Sequence, residues 1–299
     1  MGIGRSLSVA VSCLVLGAFG AASCGSSSSS AAAQYYVSLG DSYAAGYQPN
    51  PQGGVGHTST NGFAYQVVGL AGARGYHLTL ANFGCAGATT TSLLDAVGCP
   101  PAALGPGGEQ YPTMTQAAAA EQFLRQHRGH VALVTVSIGG NDVTHCAGDA
   151  NPTTCVVAAI ATAKANLTTL MPALRSAAGP DATIVGITYP DVLLGLWVGG
   201  SPSDQSLAKL SVTAFQSFIN PALSSSYRSV GGRFADVTAA SGAYVPLDQT
   251  TSLAPYGVVP VAVAKTCELT YYCEFHDIHP MTAGYTLIAQ LVTADLPRR

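Results

Sequence analysis

Two nearly continuous apolar runs, residues 131–138 (VALVTVSI) and 182–189 (ATIVGITY), constrain the fold of this chain most strongly. Runs without polar alternation are typical of strands that are covered on both faces, as in a parallel sheet between two helical layers. Further β-rich segments, at 34–39, 77–83 and 233–237, alternate with segments that favour helices. This alternation predicts an α/β fold, a three-layer α/β/α sandwich with a mostly parallel central sheet.

The segments between these strands predict five helices, at 62–70, 115–127, 153–177, 203–230 and 280–296. Pro172 should kink or divide the third helix, and Pro221 lies near the middle of the fourth. We expect Pro280 near the first position of the last helix, where proline is tolerated. No repeat and no second linker interrupts residues 34–299, which are therefore expected to form one domain.

Composition excludes two broad classes of protein. Hydrophobic residues make up 48% of the chain and charged residues 9%, which is too apolar for a disordered chain. The formal net charge is −3, and the lysines are Lys164, Lys209 and Lys265. So few cations cannot form a basic surface that follows a phosphate backbone, so we expect no nucleic-acid partner.

The first 33 residues have the character of a targeting segment. Residues 1–23 combine Arg5 with a short apolar run and are interpreted as a signal peptide. The small residues before Cys24 resemble a bacterial lipobox, although Ala21 stands where leucine is usual. Lipidated Cys24 would then anchor the protein to the outer face of the cell membrane. Residues 24–33 would form a Ser/Ala-rich tether. Plain secretion and a retained membrane anchor are the alternatives.

Six cysteines remain beyond the targeting segment, an even number that in an exported protein indicates disulfides. Each cysteine has one neighbour close in sequence and is far from the rest. The spacing predicts three local pairs: Cys85–Cys99, Cys146–Cys155 and Cys267–Cys273.

Four short motifs carry the residues that could perform chemistry: 40–43 (GDSY), 85–89 (CAGAT), 139–142 (GGND) and 277–280 (DIHP). The first three follow predicted strands, and ligands of open α/β sheets bind beyond the carboxyl ends of strands. The fourth places a carboxylate beside an imidazole, a pairing that suits a general base. Each motif alone is as well explained by a turn.

Together and in this order, the motifs resemble those of the SGNH hydrolases, also called GDSL esterases and lipases. Residues 40–42 match the nucleophile block, and residues 82–89 match the glycine block with Gly87, not Gly84, at the functional position. Residues 139–142 match the asparagine block, and His279-Pro280 matches the histidine block. The three local cysteine pairs look like those of secreted actinobacterial lipases in the family, and the resemblance implies a flavodoxin-like sandwich.

The resemblance also implies the roles of the residues. Ser42 would be the nucleophile that forms an acyl-enzyme, and His279 would accept its proton and return it to the leaving alcohol. The oxyanion hole would consist of the Ser42 N–H, the Gly87 N–H and the Asn141 side chain. No cofactor or metal is implied.

One position departs from the family. The triad acid usually stands three residues before the histidine, where this chain has His276. Asp277 lies two residues before His279, and in an extended segment it would point to the same side. We predict Asp277 as the orienting acid, with a backbone carbonyl or Glu274 as alternatives.

The same segment permits a different interpretation. Cys267, Cys273, His276 and His279 supply the donor types of a zinc site. This hypothesis leaves Ser42, Gly87 and Asn141 without a role, and an oxidising compartment favours disulfides.

We therefore expect an exported monomeric serine esterase or lipase that acts on small-molecule or lipid esters. The apolar run 193–198 (LLGLWV) would either border an acyl groove or pack as ordinary core. A carbohydrate or cell-wall O-deacetylase is the alternative among enzymes. A binding lipoprotein without catalytic activity is the alternative from another class.

Overall fold

A five-stranded parallel sheet organises the molecule, and its strand order is β4-β1-β5-β6-β7. The computed structural model describes residues 1–2 and 34–299. The rest of the predicted signal peptide (1–23), the tether (24–33) and Cys24 lie outside the described residues. The predicted α/β/α sandwich is confirmed. Its strands are β1 (Gln34–Gly40), β4 (Leu78–Asn82), β5 (Val131–Ser137), β6 (Thr183–Ile187) and β7 (Arg233–Ala235).

Two small antiparallel hairpins lie outside this sheet, β2 (Tyr47–Gln48) with β3 (His57–Thr58) and β8 (Thr250–Leu253) with β9 (Gly257–Pro260). The α-helices of the described part of the chain are α1 (Ser42–Ala45), α2 (Phe63–Ala71), α3 (Thr90–Asp95), α4 (Gln116–Gln126), α5 (Gly140–Thr144), α6 (Pro152–Ala178), α7 (Pro202–Ala214), α8 (Asn220–Arg228), α9 (Val237–Ala240), α10 (Val261–Leu269), α11 (Tyr272–Phe275) and α12 (Thr282–Asp295).

Each face of the sheet carries its own apolar core. On one face, α3, α4, α6 and α8 cover residues such as Val37 and Val134. On the other face, α2 and α12 cover residues such as Tyr36 and Leu133. All seven residues of β5 are buried, which explains why its sequence lacks polar alternation.

Pro172 lies inside helix α6, which it does not divide. Pro221 stands in the first turn of α8 and not near the middle of one long helix, because a π-helical turn, Phe215–Ile219, separates α8 from α7. The prediction for Pro280 is wrong. Met281 caps α12, so Pro280 precedes the helix and belongs to the loop that carries His279.

Helix α6 is unusually apolar. Thr153–Ala178 is the stretch within the described residues that is long and apolar enough to cross a membrane, with a mean hydropathy of 1.3. However, Leu167, Met171 and Leu174 are fully buried in the core on one face of the sheet. The helix is therefore a layer of the sandwich, although only 22% of its most apolar window is buried inside the molecule.

The apolar run 193–198 lies in a 3-10 helical segment, Val192–Gly199. Leu194 is fully buried in a third, smaller core with residues of α7 and α10, and Trp197 packs against that core. Packing thus accounts for Leu194 and Trp197, whereas Leu193 is 40% exposed.

All three predicted disulfides are present, Cys85–Cys99, Cys146–Cys155 and Cys267–Cys273. They close loops of 14, 9 and 6 residues, respectively. Each therefore fixes the local path of a loop, and none joins distant layers of the fold.

Candidate active site

Three of the four motifs meet at one edge of the sheet. Ser42, Gly87 and Asn141 follow β1, β4 and β5, which are neighbouring strands in the order β4-β1-β5. Because the sheet is parallel, the carboxyl ends of these strands lie side by side. The fourth motif reaches this edge from the loop before α12. The topology therefore gathers at one place residues that are far apart in sequence.

The backbone turns sharply where β1 ends. Gly40 has a φ of 140°, and a Cβ at this position would overlap the carbonyl oxygen of Ser137 on β5. The Asp41 N–H donates to that same carbonyl at 3.1 Å. The buried side chain of Gln116 clamps Gly40 from the other direction. Its Oε1 accepts from the Gly40 N–H at 2.7 Å, and its Nε2 donates to the Gly40 carbonyl at 3.0 Å. The position of Ser42 is thereby fixed by backbone contacts.

Asp41 caps the short helix that begins with Ser42. Its carboxylate accepts hydrogen bonds from the Tyr43 N–H at 3.0 Å and from the Tyr189 hydroxyl at 2.6 Å. Burial raises the pKa of Asp41 to about 6, although these two hydrogen bonds favour the ionised form. Asp41 therefore holds the turn that carries Ser42 in place, at an electrostatic cost to the folded state.

A chain of hydrogen bonds joins Ser42, His279 and Asp277. The distance from Ser42 Oγ to His279 Nε2 is 2.9 Å, and that from His279 Nδ1 to Asp277 Oδ1 is 2.7 Å. The His279 backbone N–H also donates to Asp277 Oδ1 at 2.9 Å. Burial raises the pKa of Asp277, but the hydrogen bonds from His279 outweigh it and hold the pKa below its ordinary value. The carboxylate can therefore fix one tautomer of the imidazole.

The histidine loop is held by aromatic side chains. The Tyr43 hydroxyl donates to the Ile278 carbonyl at 2.7 Å, and the ring of Tyr47 lies 4.5 Å from the ring of His279. The His279 carbonyl accepts from the Tyr271 N–H at 3.0 Å. These contacts keep the imidazole over Ser42.

Neither Glu274 nor a backbone carbonyl, the two alternatives to Asp277, occupies the place of the acid, and His276 does not occupy it either. His276 ends α11 with a φ of 52°, and its ring lies 5.8 Å from that of Tyr272. Within the described part of the chain, no hydrogen bond joins Glu274 or a backbone carbonyl to His279 Nδ1. The structure thus brings Asp277 to the position that the sequence predicts for it.

The zinc hypothesis is wrong. Two of its four proposed ligands, Cys267 and Cys273, are joined in a disulfide. The ring nitrogens of His279 face Ser42 and Asp277. His276, Cys267 and Cys273 consequently cannot form a shared thiolate–imidazole site with it.

The Gly87 N–H and the Asn141 side chain, which the sequence predicts as donors of an oxyanion hole, lie on adjoining loops. The Asn141 side chain donates one amide hydrogen to the Ala88 carbonyl at 2.9 Å, which ties its loop to the residue after Gly87. Gly87 has a φ of 86° and occupies a tight turn closed by the Ala88 N–H and the Cys85 carbonyl at 3.0 Å. Across residues 34–299, no hydrogen bond engages the Gly87 N–H. Both groups keep a hydrogen for a ligand oxygen.

The sequence analysis did not predict a polar network behind these loops, which consists of Asp142, Thr90 and Asn166. The buried carboxylate of Asp142 accepts from the Thr90 N–H at 2.9 Å and also from the Thr90 hydroxyl. Asn166 of α6 donates to the Thr90 hydroxyl at 2.9 Å. The network fixes α5 against α3 and so sets the distance between the asparagine and glycine loops. The only sequence signal was the aspartate directly after Asn141, in a motif that is also typical of turns.

The chain is similar to esterases and lipases in sequence pattern and structure. A model of the GDSL-like lipase/acylhydrolase family matches residues 38–287. No curated protein matches the chain. A catalytic mutant of an acetylxylan esterase from Geobacillus stearothermophilus is 15% identical, with a TM-score of 0.50 over 88% of this chain and 94% of that chain. This similarity supports the fold.

Two Streptomyces enzymes are also similar. The extracellular lipase from Streptomyces rimosus is 20% identical, with a TM-score of 0.45 over 88% of this chain and 98% of that chain. Phospholipase A1 from Streptomyces albidoflavus NA297 is 18% identical, with a TM-score of 0.48 over 88% of this chain and 99% of that chain.

The raised pKa of Asp41 predicts a pH-dependent stability. Between pH 4 and pH 6 the folded state keeps a proton that the unfolded chain has lost, so the contribution of Asp41 to stability falls as the pH rises and is constant above about pH 6. The variant Asp41→Asn can still cap the helix but cannot ionise. We expect the free energy of unfolding of the wild type, relative to this variant, to fall by up to about 3 kcal/mol from pH 4 to pH 7.

Urea denaturation at several pH values measures this difference. At pH 3 the aspartate is protonated in both states, and the difference measured there is the reference. A difference between the two proteins that does not change with pH would contradict the assignment.

Proposed function

The chain belongs to the GDSL-like lipase/acylhydrolase family, and on this premise we propose that it is a serine esterase that hydrolyses carboxylic esters through an acyl-enzyme on Ser42. The observation that carries the proposal is the hydrogen-bonded series from Ser42 Oγ through His279 to Asp277, with distances of 2.9 and 2.7 Å. This is the arrangement in which a base activates a serine and a third group orients the base.

Acylation follows from this geometry. His279 Nε2 accepts the Ser42 proton as Oγ attacks the carbonyl carbon of the ester. Asp277, hydrogen-bonded to Nδ1–H, stabilises the imidazolium that forms. Collapse of the tetrahedral intermediate breaks the bond to the alcohol oxygen, and His279 returns the proton to that oxygen. The products of this half-reaction are the free alcohol and acylated Ser42.

Deacylation repeats these chemical steps with water in place of Ser42 as the attacking group. His279 accepts a proton from the water molecule as its oxygen attacks the acyl carbon, and the proton then returns to Ser42 Oγ as the acid leaves. In both halves the negative oxygen is stabilised by the N–H groups of Ser42 and Gly87 and by the Asn141 amide. The unengaged Gly87 N–H supports this assignment, because a glycine loop of this kind lets a ligand oxygen approach the backbone.

Export is part of the proposal. Three closed disulfides favour an oxidising compartment. We place the catalytic domain, residues 34–299, after a signal peptide (1–23) and a tether (24–33), with lipidated Cys24 as the membrane anchor and plain secretion as the alternative. A monomer acting on small-molecule or lipid esters fits these features.

Hydrolysis of p-nitrophenyl acetate tests the nucleophile. We expect the wild type to cleave it equally well with and without EDTA, because the proposed steps use only side chains and water. Ser42→Ala should lower kcat/KM more than about 10³-fold. Ser252→Ala, at an exposed serine of the β8–β9 hairpin, is the matched control and should retain full activity. Equal rates for wild type and Ser42→Ala would overturn the proposal and favour a binding protein.

The oxyanion hole gives a separate prediction. Asn141→Ala removes a donor that is needed when the carbonyl oxygen becomes negative, so kcat should fall about 100- to 1000-fold while KM changes little. Asn50→Ala, in the loop after β2, serves as the control, because the Asn50 side chain accepts a local hydrogen bond from the Gln52 N–H. Steady-state kinetics on the same ester measure both values, and a loss of less than threefold in kcat would remove Asn141 from the mechanism.

A further inference from the structure

Gly87 lies in the wall of a groove of about 200 Å³, which we name the Gly87 groove. Its walls are largely apolar, and they include Ala86, Ala88, Leu93, Ala96 and Pro100. The groove is open to solvent at Gly87 and Ala96, which are exposed, and it closes inward on the buried Leu93. It is thus an apolar surface groove that contains a proposed oxyanion donor in its own wall.

The position of Gly87 brings this groove within reach of the acyl chain. In the tetrahedral intermediate, the oxygen bound by the Gly87 N–H and the first acyl carbon are attached to the same carbon atom. The acyl chain therefore starts only two bonds from the oxygen that Gly87 binds. An apolar groove that has Gly87 in its wall is therefore within reach of the following carbons.

The alcohol has to lie elsewhere, because His279 must reach its oxygen. The histidine loop is held by Tyr43, which belongs to the core on one face of the sheet. Leu93 and the other buried walls of the Gly87 groove belong to the core on the opposite face. The histidine loop and the Gly87 groove therefore adjoin the cores on opposite faces of the sheet.

A second depression near the site suits an acyl chain poorly. It measures about 540 Å³, and its wall combines apolar residues (Cys155, Ala158 and Ala159) with polar side chains that include Asp142, His145, Asp149 and Asn151. An acyl chain in this depression would displace water from carboxylate, imidazole, amide and hydroxyl groups without replacing their hydrogen bonds. The contrast between the two linings favours the Gly87 groove.

We infer that the Gly87 groove binds the acyl group of the substrate and buries up to about eight of its carbons. A cavity of about 150 Å³ holds the six carbons of benzene, so about 200 Å³ accommodates a chain of roughly six to eight. This inference rests on the proposed esterase function. It assigns the protein a preference that is set by the first eight or so acyl carbons, because carbons beyond the groove gain no further apolar contact.

A series of p-nitrophenyl esters from acetate to palmitate, each used below its aggregation limit, tests the inference. We expect kcat/KM to increase about fourfold for each methylene buried, to level off between hexanoate and octanoate, and to show no further gain up to palmitate. Ala96→Phe should narrow the groove from its exposed rim and lower the ratio of hexanoate to acetate activity at least fivefold.

Val97→Phe is the matched control. Val97 is the next residue, is 64% exposed and is not part of the groove wall, so this variant should keep the hexanoate-to-acetate ratio within twofold. A maximum at palmitate, or an unchanged ratio in Ala96→Phe, would overturn the inference. Cleavage of acetate keeps the esterase proposal intact in either case, whereas loss of all activity in the wild type would refute the esterase proposal itself.

Discussion

The site depends on how the chain leaves strand β1. Gly40 passes so close to the Ser137 carbonyl that no other residue fits, and Gln116 bonds both backbone groups of Gly40. These contacts commit the next residues to a short helix whose first member is Ser42. A nucleophile on rigid backbone needs little reorganisation before it attacks, which is the physical advantage of building the site at a strand end.

Tyrosine side chains connect the parts of the site that backbone contacts do not. The Tyr189 hydroxyl bonds Asp41, and its ring packs so tightly on Gly140 that a Cβ there would lie 3.0 Å from it. Tyr43 packs edge-on against Tyr189 and bonds the histidine loop through the Ile278 carbonyl. One buried set of contacts is therefore shared by the turn that carries Ser42, the loop that carries Asn141 and the loop that carries His279. A disturbance in one of these segments is transmitted to the others.

Local sequence patterns were sufficient to predict the fold and the motif residues. They could not predict hydrogen bonds between residues that are far apart in sequence. The uninterrupted apolar strands indicated a sheet with two covered faces, and the spacing of the cysteines indicated the three disulfides. The sequence did not predict the roles of Gln116 and Tyr189, because their hydrogen-bond partners, Gly40 and Asp41, are 76 and 148 positions away. The Asp142–Thr90 pair spans 52 positions. The position of Pro280 was mispredicted because the hydrogen bonds of the histidine loop, and not helix propensity, decide where α12 begins.

The central claim, that Ser42 is an activated nucleophile, is tested most directly by mapping a covalent adduct. A fluorophosphonate reacts with a serine only when a neighbouring base removes its proton. The account predicts a single adduct on the peptide that contains Ser42, located by tandem mass spectrometry. It also predicts no adduct in Ser42→Ala and much slower labelling in His279→Ala. Folded protein that takes up no label, or carries it on another residue, would contradict the account.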